Sequence, residues 1–468
     1  MGKRFENVFS DPENKEFQKV VDSLNAGTRP ILIHGEAGTG KSTFIRELSA
    51  FCAANDMKTM AVAFTNLAAR GIGGRTIHSS FGLALRPYLP HEDTFETLKE
   101  GYVKEYKERA ARRKMKEKNS NSSKLVSLGI NFDDIESLIP GFRNITPTPF
   151  RKMDILFIDE ISMVRCDTID AIDQILRFCT EVDAPFGGKQ VVMLGDTAQL
   201  PPVVKESDRQ VLEHAYKDPF TVFHSRVFQE SDLLTVELSK VYRQKDKKFL
   251  NLLRGIRLNG LMPKTIKALN ERLVEQFDIE DLNVEDQIIC ATNARCSHYN
   301  AQFLNAIKGS ASTYEAVVVD DYPERDFPVP RILDLKLGAK VMIVSNNNSV
   351  GYYNGMIGQI RDLDHDHAIV EVDKQEYRID PYEWENHRSF VDKNHNRVIT
   401  EVVGTFKQLP LKLAYAMTTH KAQGKTYERI LCDFTDEFLP ENTYVALSRC
   451  TSLEGVTILS RLSGDQSS

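Results

Sequence analysis

Residues 35–42 read GEAGTGKS, a match to the phosphate-loop pattern GxxxxGK[ST]. No other stretch restricts the architecture as strongly, because the pattern works in one setting only. A strand must deliver the first glycine, and a helix must begin at the lysine. Both neighbours comply: PILIHG is an apolar run ending on Gly35, and STFIRELSAFCAAN carries helical apolar spacing. The glycines let successive backbone N–H groups curl around a β-phosphate, and the helix dipole beginning near Ser42 adds attraction. Lys41 would then reach the β- and γ-oxygens, and the Ser42 hydroxyl would ligate Mg²⁺.

The loop predicts an α/β core. TMAVAFT at 59–65 reads as a strand and NLAARGI at 66–72 as the helix after it. DILFID at 154–159 and QVVMLG at 190–195 supply two more strands. Strands rich in Ile, Val and Phe that alternate with helices predict a parallel sheet. At 468 residues the chain is too long for one such core, and 41% hydrophobic content suffices for two to four domains. A net charge of −6 argues against nucleic-acid binding, whose usual signature is a basic footprint, though it leaves room for a basic groove on one face.

Chemistry gathers at the strand ends. ILFIDE is an apolar run closing in two acids. Asp159 would hold Mg²⁺, and Glu160 would polarise an attacking water, which points to hydrolysis. The alternative is that both acids only solvate a strand end. In GDTAQLPPVV, at 195–204, a strand stops and two prolines forbid its continuation. The amide of Gln199 is thereby held where it can bond a γ-phosphate and the attacking water, as a sensor of nucleotide state. VYRQ at 241–244 and YVALSR at 444–449 each offer an arginine after an apolar stretch. Arg243 and Arg449, if both sit on a second core, would neutralise the γ-phosphoryl oxygens across a cleft. Taken singly, each reads more readily as a surface ion pair.

Two interruptions differ from the α/β pattern. Residues 99–118 carry nine Lys/Arg against four Glu. They read as a solvated helix or as a surface for a polyanion. Around 310–404 the pattern turns to short strands, GAKVMIVSNN, NGMIGQIRDLD, HAIVEVD and EYRID, which predicts a small inserted β-barrel.

The ordered set GEAGTGKS, AFTNLAARGIGGRTIHSSFGL, LFIDEISMV, GDTAQLPPVV, VYRQ, ATNARCSHYN, YYNGMIG, AYAMTTHKAQGKTYE and YVALSRC resembles superfamily 1 DNA helicases. Within them it is most similar to the Pif (petite integration frequency) family of bacterial or phage type, related to RecD and Dda. The resemblance spans residues 35 to 450. It implies two RecA-like parallel-sheet motor domains, the first with a wedge-type helical insertion and the second with an SH3-like β-barrel insertion. On that template the first motor domain takes residues 1–75 and 151–225, split by the wedge insertion at 76–150. The second takes 226–309 and 405–468, split by the barrel at 310–404.

The family implies ATP-driven 5′→3′ translocation on single-stranded DNA, with unwinding of forked duplex and of G-quadruplexes, in repair, recombination and telomere maintenance. Carried over position by position, Lys41, Glu160, Gln199, Arg243 and Arg449 become catalytic, and Ser42 and Asp159 hold Mg²⁺. ATP lies on Gly35, Glu36, Ala37, Gly38, Thr39, Gly40, Lys41, Ser42 and Thr43, and Gln423 and Gly424 approach its γ-phosphate. Gln18, in EFQKVV, stands where an adenine-reading glutamine is expected; its other reading is an exposed helix residue. Thr65, Asn66, His78, Ser79, Thr292, Asn293, Thr419, His420 and Lys421 match positions that grip DNA phosphates. His78 and His420 read equally as core histidines. The charged 99–118 stretch is longer and more basic than the expected wedge, so the strand-splitting residue is not identified.

Other readings of the same motifs are a RecD-like translocase subunit of a larger complex and a nucleotide-controlled regulatory switch. The N-terminus lacks the apolar region of a secretion signal and no apolar run approaches about 18 residues, so the expectation is a soluble, cytoplasmic protein without membrane contact. Seven scattered cysteines without CxxC spacing read as buried thiols in a reducing compartment. Nothing in the motifs calls for an oligomer, and a monomer is the expectation.

Overall fold

The computed structural model describes residues 15–27, 29–83, 86–88, 147–196, 198–202, 204–213, 215–218, 220–274, 286–347, 349–392, 397–435 and 439–462. The charged 99–118 stretch and most of the expected 76–150 insertion lie outside the described residues.

A six-stranded parallel sheet organises the first lobe. Its strands are β1 (Ile31–Gly35), β2 (Thr59–Ala63), β3 (Arg75–Thr76), β4 (Ile155–Asp159), β5 (Gln190–Gly195) and β6 (Leu234–Leu238). Their spatial order is β3-β2-β4-β5-β1-β6, so β1 sits between β5 and β6. Every residue of β4 and β5 is buried, as expected of strands covered on both faces by helices. Helix α1 (Lys15–Ala26) buries Phe17, Val20, Val21 and Leu24, one stripe at helical spacing. Helix α2 (Lys41–Ala54) follows the phosphate loop, and α3 (Asn66–Gly71) follows β2. The edge strand β6 extends this sheet past residue 225, where the sequence reading ended the first motor domain. Its Ile31–Leu234 register makes β6 a neighbour of the central strand, and periodicity carries no such information.

Helix α4 (Cys166–Thr180) fastens the surrounding loops with buried acids. Asp170 accepts hydrogen bonds from the Tyr216 hydroxyl at 2.8 Å and from the Arg226 and Val227 amides at 3.0 Å each. Asp173 accepts from the Phe186 amide and pairs with Arg177; burial pushes its carboxyl up to about 6. The chain then passes through α5 (Glu206–Leu212) and α6 (Lys247–Asn259), the latter capped by the Asp246 carboxylate.

A second parallel sheet carries the other lobe. Strand β7 (Gln287–Cys290) leads into helix α7 (Asn293–Ala306). Strands β8 (Ala416–Thr418), β9 (Ile430–Asp433) and β10 (Val456–Ile458) complete the order β8-β7-β9-β10. Helix α8 (Pro440–Leu447) packs against α6 between β9 and β10. Between β7 and β8 lie antiparallel strands from Ser312 to Leu413. Five of them form one sheet, with Leu411–Leu413 as an edge strand on Lys340–Ile343. Tyr382–Asp392 and Arg397–Gln408 form a long hairpin whose first strand packs against α5 of the first lobe. The strands expected within the 310–404 insertion end at EYRID, and this hairpin follows them. All seven cysteines are buried thiols without disulfides. Among the described residues no helix is long and apolar enough to cross a membrane.

Asp170→Ala is expected to cost about 3 kcal/mol of stability, because two buried donors and one half-buried donor lose their acceptor. Chemical denaturation followed by tyrosine fluorescence checks this; a loss below about 1 kcal/mol would show that water replaces the carboxylate.

Candidate functional site

The buried strand β1 delivers the chain to a tight loop. Gly38 and Gly40 both hold φ of 84°, the left-handed region that favours glycine. At Gly38 space is lacking as well: a Cβ there would meet Arg243 Cβ at 2.5 Å. The Tyr242 and Arg243 amides donate to Gly38 O at 2.8 and 3.3 Å, which binds the loop to the segment after β6. Gly40 caps α2 with no side-chain bond, so the first amides of that helix face the cleft. Lys41 Nζ donates to Gly35 O at 2.7 Å and to Glu36 O at 2.8 Å. Burial pulls this ammonium down to about 8, against the opposing pull of Asp196 and Asp159.

The two acids at the end of β4 differ in environment. Ser42 Oγ donates to Asp159 Oδ2 at 2.9 Å, and the Glu160 amide donates to Asp159 Oδ1 at 2.9 Å. Burial raises the Asp159 carboxyl above its ordinary value. Glu160 holds φ of 53°, a strained position for a residue with a Cβ. Thr65 Oγ1 donates to its Oε2 at 3.1 Å. Burial first, and then the charge of Asp159, push Glu160 up to about 7. Gly424, on the opposite lobe, comes so close that a Cβ would lie 3.2 Å from Glu160 Oε1.

A cavity of about 340 Å³ lies between the lobes. Ala37 to Thr43, Asp159, Glu160, Gln199, Arg243, Gly424 and Arg449 line it, so the structure brings most of the expected catalytic set together. Gln199 Nε2 donates to Asp196 Oδ2 at 3.3 Å and its Oε1 accepts from Gln423 Nε2 at 2.9 Å, an amide relay across the cleft. Arg243 donates to Ser448 O at 3.1 Å; Arg449 donates to Val445 O at 2.9 Å and to Ser448 Oγ at 2.8 Å. Neither guanidinium pairs with a carboxylate among the described residues, which sets aside the surface ion-pair reading. Burial lowers both, Arg449 to about 10 with Arg243 as the second cause. Arg243 enters from the loop after β6, on the first lobe, and not from the second core as expected.

Gln18 stands apart. It is exposed on α1, bonded to Asp22 at 2.9 Å, and does not line the cavity. The expected phosphate-gripping residues share one topological place, the carboxyl ends of parallel strands in both lobes. Thr65 and Asn66 follow β2, Thr292 and Asn293 follow β7, and Thr419, His420 and Lys421 follow β8. Thr65 and Thr292 cap their helices, accepting from Ala68 and Arg295 amides. Asn66 donates to Asn346 of the inserted strands at 2.9 Å, and Arg70 lies 3.6 Å over the Tyr353 ring. The Ser79 amide donates to Thr76 Oγ1. His78 packs edge-on to Phe64 at 6.0 Å, and burial lowers its pKa below the ordinary imidazole value.

Sequence reasoning passed over the residues that join the lobes. Asp196, buried at the end of β5, accepts from the Tyr444 hydroxyl at 2.7 Å and pairs with Arg257 at 3.2 Å. The same hydroxyl accepts from the Ala37 amide at 3.0 Å. Arg254, one turn before Arg257, donates to both Glu36 oxygens at 3.0 Å. Gln244 donates to Ser448 O and Cys450 O. The signal available was Asp196 inside GDTAQLPP; the i, i+3 pair on α6 matched no motif.

A family model described as PIF1-like helicase matches residues 9–102 and 129–258. Bacteroides Pif1, solved bound to ssDNA, is 32% identical with a TM-score of 0.73, over 96% of this chain and 92% of that one. The ATP-dependent DNA helicase Pif1 of Campylobacter jejuni is 25% identical over 445 residues, 92% of this chain and 88% of that protein. The human ATP-dependent DNA helicase PIF1 is 27% identical over 477 residues, which cover 98% of this chain and 62% of the human protein.

Gly38→Ala adds both a disfavoured φ and a clash with Arg243. It is expected to weaken triphosphate binding by about tenfold or more, measured by titration with a fluorescent nucleotide. Unchanged affinity would mean that the loop shifts without loss.

Proposed function

The chain belongs to the PIF1-like helicase family of ATP-dependent DNA helicases, and from that footing we propose that it translocates 5′→3′ on single-stranded DNA, hydrolysing ATP between its two lobes. The buried Arg449 and the half-buried Arg243, facing one cavity with no carboxylate partner among the described residues, carry this reading. Burying cations without carboxylates is unfavourable unless an anion completes the site, and a triphosphate on the loop supplies it. Lys41 exchanges its loop carbonyls for the β- and γ-oxygens. Glu160, held near neutrality by burial, accepts the proton of the attacking water. Arg243 and Arg449 offset charge on the transferred phosphoryl group from the two sides of the cleft.

Ser42 Oγ and Asp159 Oδ2 are hard oxygen donors 2.9 Å apart beside the phosphate loop, a set that fits Mg²⁺, which supplies Lewis-acid polarisation of the phosphoryl oxygens. Gln199 senses the γ-phosphate and hands its state to Gln423 and Gly424 of the opposite lobe. Gln18, exposed on α1 outside the cavity lining, remains the proposed adenine reader by its position ahead of the phosphate loop. Thr65, Asn66, His78, Ser79, Thr292, Asn293, Thr419, His420 and Lys421 grip backbone phosphates without reading sequence, which suits a motor. Unwinding of duplex and G-quadruplex DNA and the 5′→3′ direction rest on family membership. Seven buried thiols, none of them in a disulfide, support a reducing, cytoplasmic setting.

Strand displacement on 5′-tailed and 3′-tailed duplexes tests the reading. Unwinding from the 5′ tail alone, with ATP and not with Lys41→Ala, is expected. ATPase activity should rise with single-stranded DNA and lose that stimulation as salt screens phosphate contacts. Displacement from 3′ tails alone overturns the polarity, and ATPase indifferent to DNA overturns the motor.

A further inference from the structure

Asp196 collects more partners than any other acid of the cleft. Its Oδ1 accepts from the Ala198 amide at 3.2 Å and from Arg257 at 3.2 and 3.3 Å. Its Oδ2 accepts from Gln199 at 3.3 Å and from the Tyr444 hydroxyl at 2.7 Å. That hydroxyl in turn accepts from the Ala37 amide, the second residue after β1. One phenol of the second lobe therefore ties the phosphate loop to the strand end that carries the proposed γ-phosphate sensor. Tyr444 is buried on α8, whose last turn leads directly to Arg449. Arg449 Nε donates to Val445 O, so the guanidinium is braced on the residue next to the phenol. Where the hydroxyl is pinned, the arginine is aimed.

We propose that Tyr444 is a positioning residue for ATP hydrolysis: by bonding Asp196 and the Ala37 amide across the cleft, it sets the reach of Arg449 toward the phosphate loop. The assignment rests on the proposed nucleotide site. It exceeds that reading because neither Tyr444 nor Asp196 touches the reacting atoms in it. A mere packing role predicts something different. The ring would suffice, and loss of the hydroxyl would change nothing in the chemistry.

Tyr444→Phe keeps the ring and deletes both bonds. In DNA-stimulated ATP hydrolysis kcat is expected to fall about tenfold, with KM within about twofold of the starting value. In the Arg449→Ala background the same substitution should cost nothing further, because the group it aims is gone. Arg257→Gln, which removes the ion pair to Asp196 and leaves the phenol, is the second variant. It should lower kcat in the same way and be equally silent beside Arg449→Ala, which keeps the proposal testable should Tyr444→Phe fold poorly. Wild-type kcat in Tyr444→Phe, or losses that multiply with Arg449→Ala, overturn the proposal alone. Full activity of Lys41→Ala and Arg449→Ala overturns the nucleotide site beneath it.

Discussion

Three cations and three carboxylates are withdrawn from water into one cleft, and the cost of that desolvation organises the site. Lys41 drops to about 8 and Arg449 to about 10, while Glu160 climbs to about 7. Each shift records a charge held by backbone geometry in a place it would leave if free. The carbonyls of Gly35 and Glu36 take the ammonium, those of Val445 and Ser448 take the arginines, and the Ser42 hydroxyl takes Asp159. Neutral acceptors stabilise the cations less than an anion does, so exchanging them for the phosphoryl oxygens of the proposed nucleotide would be favourable.

Parallel topology brings these groups together. Strands of one direction end on one edge, and each end exposes a short loop aimed at the same space. The phosphate loop, the acid pair, Asp196 with Gln199, and Arg243 follow β1, β4, β5 and β6. Thr65 joins the two functions of that edge, since it caps α3 and donates to Glu160. A residue expected to grip DNA is thus bonded to the residue expected to activate water, a direct mechanical route between the two.

The inserted strands between β7 and β8 are not passive decoration. Their long hairpin packs on α5, which begins four residues past the two prolines, Pro201 and Pro202, of the Gln199 loop. Their loop near Asn346 and Tyr353 meets Asn66 and Arg70 of the first lobe. Contacts at the cleft and at the insertion therefore join the same two lobes at separate places.

Local pattern was enough for the elements closest to the chemistry. GEAGTGKS, ILFIDE and the run before GDTAQLPP each require a strand ending at a stated residue, and β1, β4 and β5 end within one residue of those positions. The reason is chemical: a phosphate cradle or a strand-end acid works only with particular residue types at adjacent positions, so the sequence shows it. The placement of β6, the hairpin at 382–408, the detachment of Gln18 and the Asp196–Tyr444–Ala37 link were decided elsewhere. The Tyr444 and Ala37 positions lie 407 residues apart, and their meeting depends on how two lobes pack. Packing sums many weak contacts, none of which demands a particular residue type, and such a sum exists only once the chain has folded.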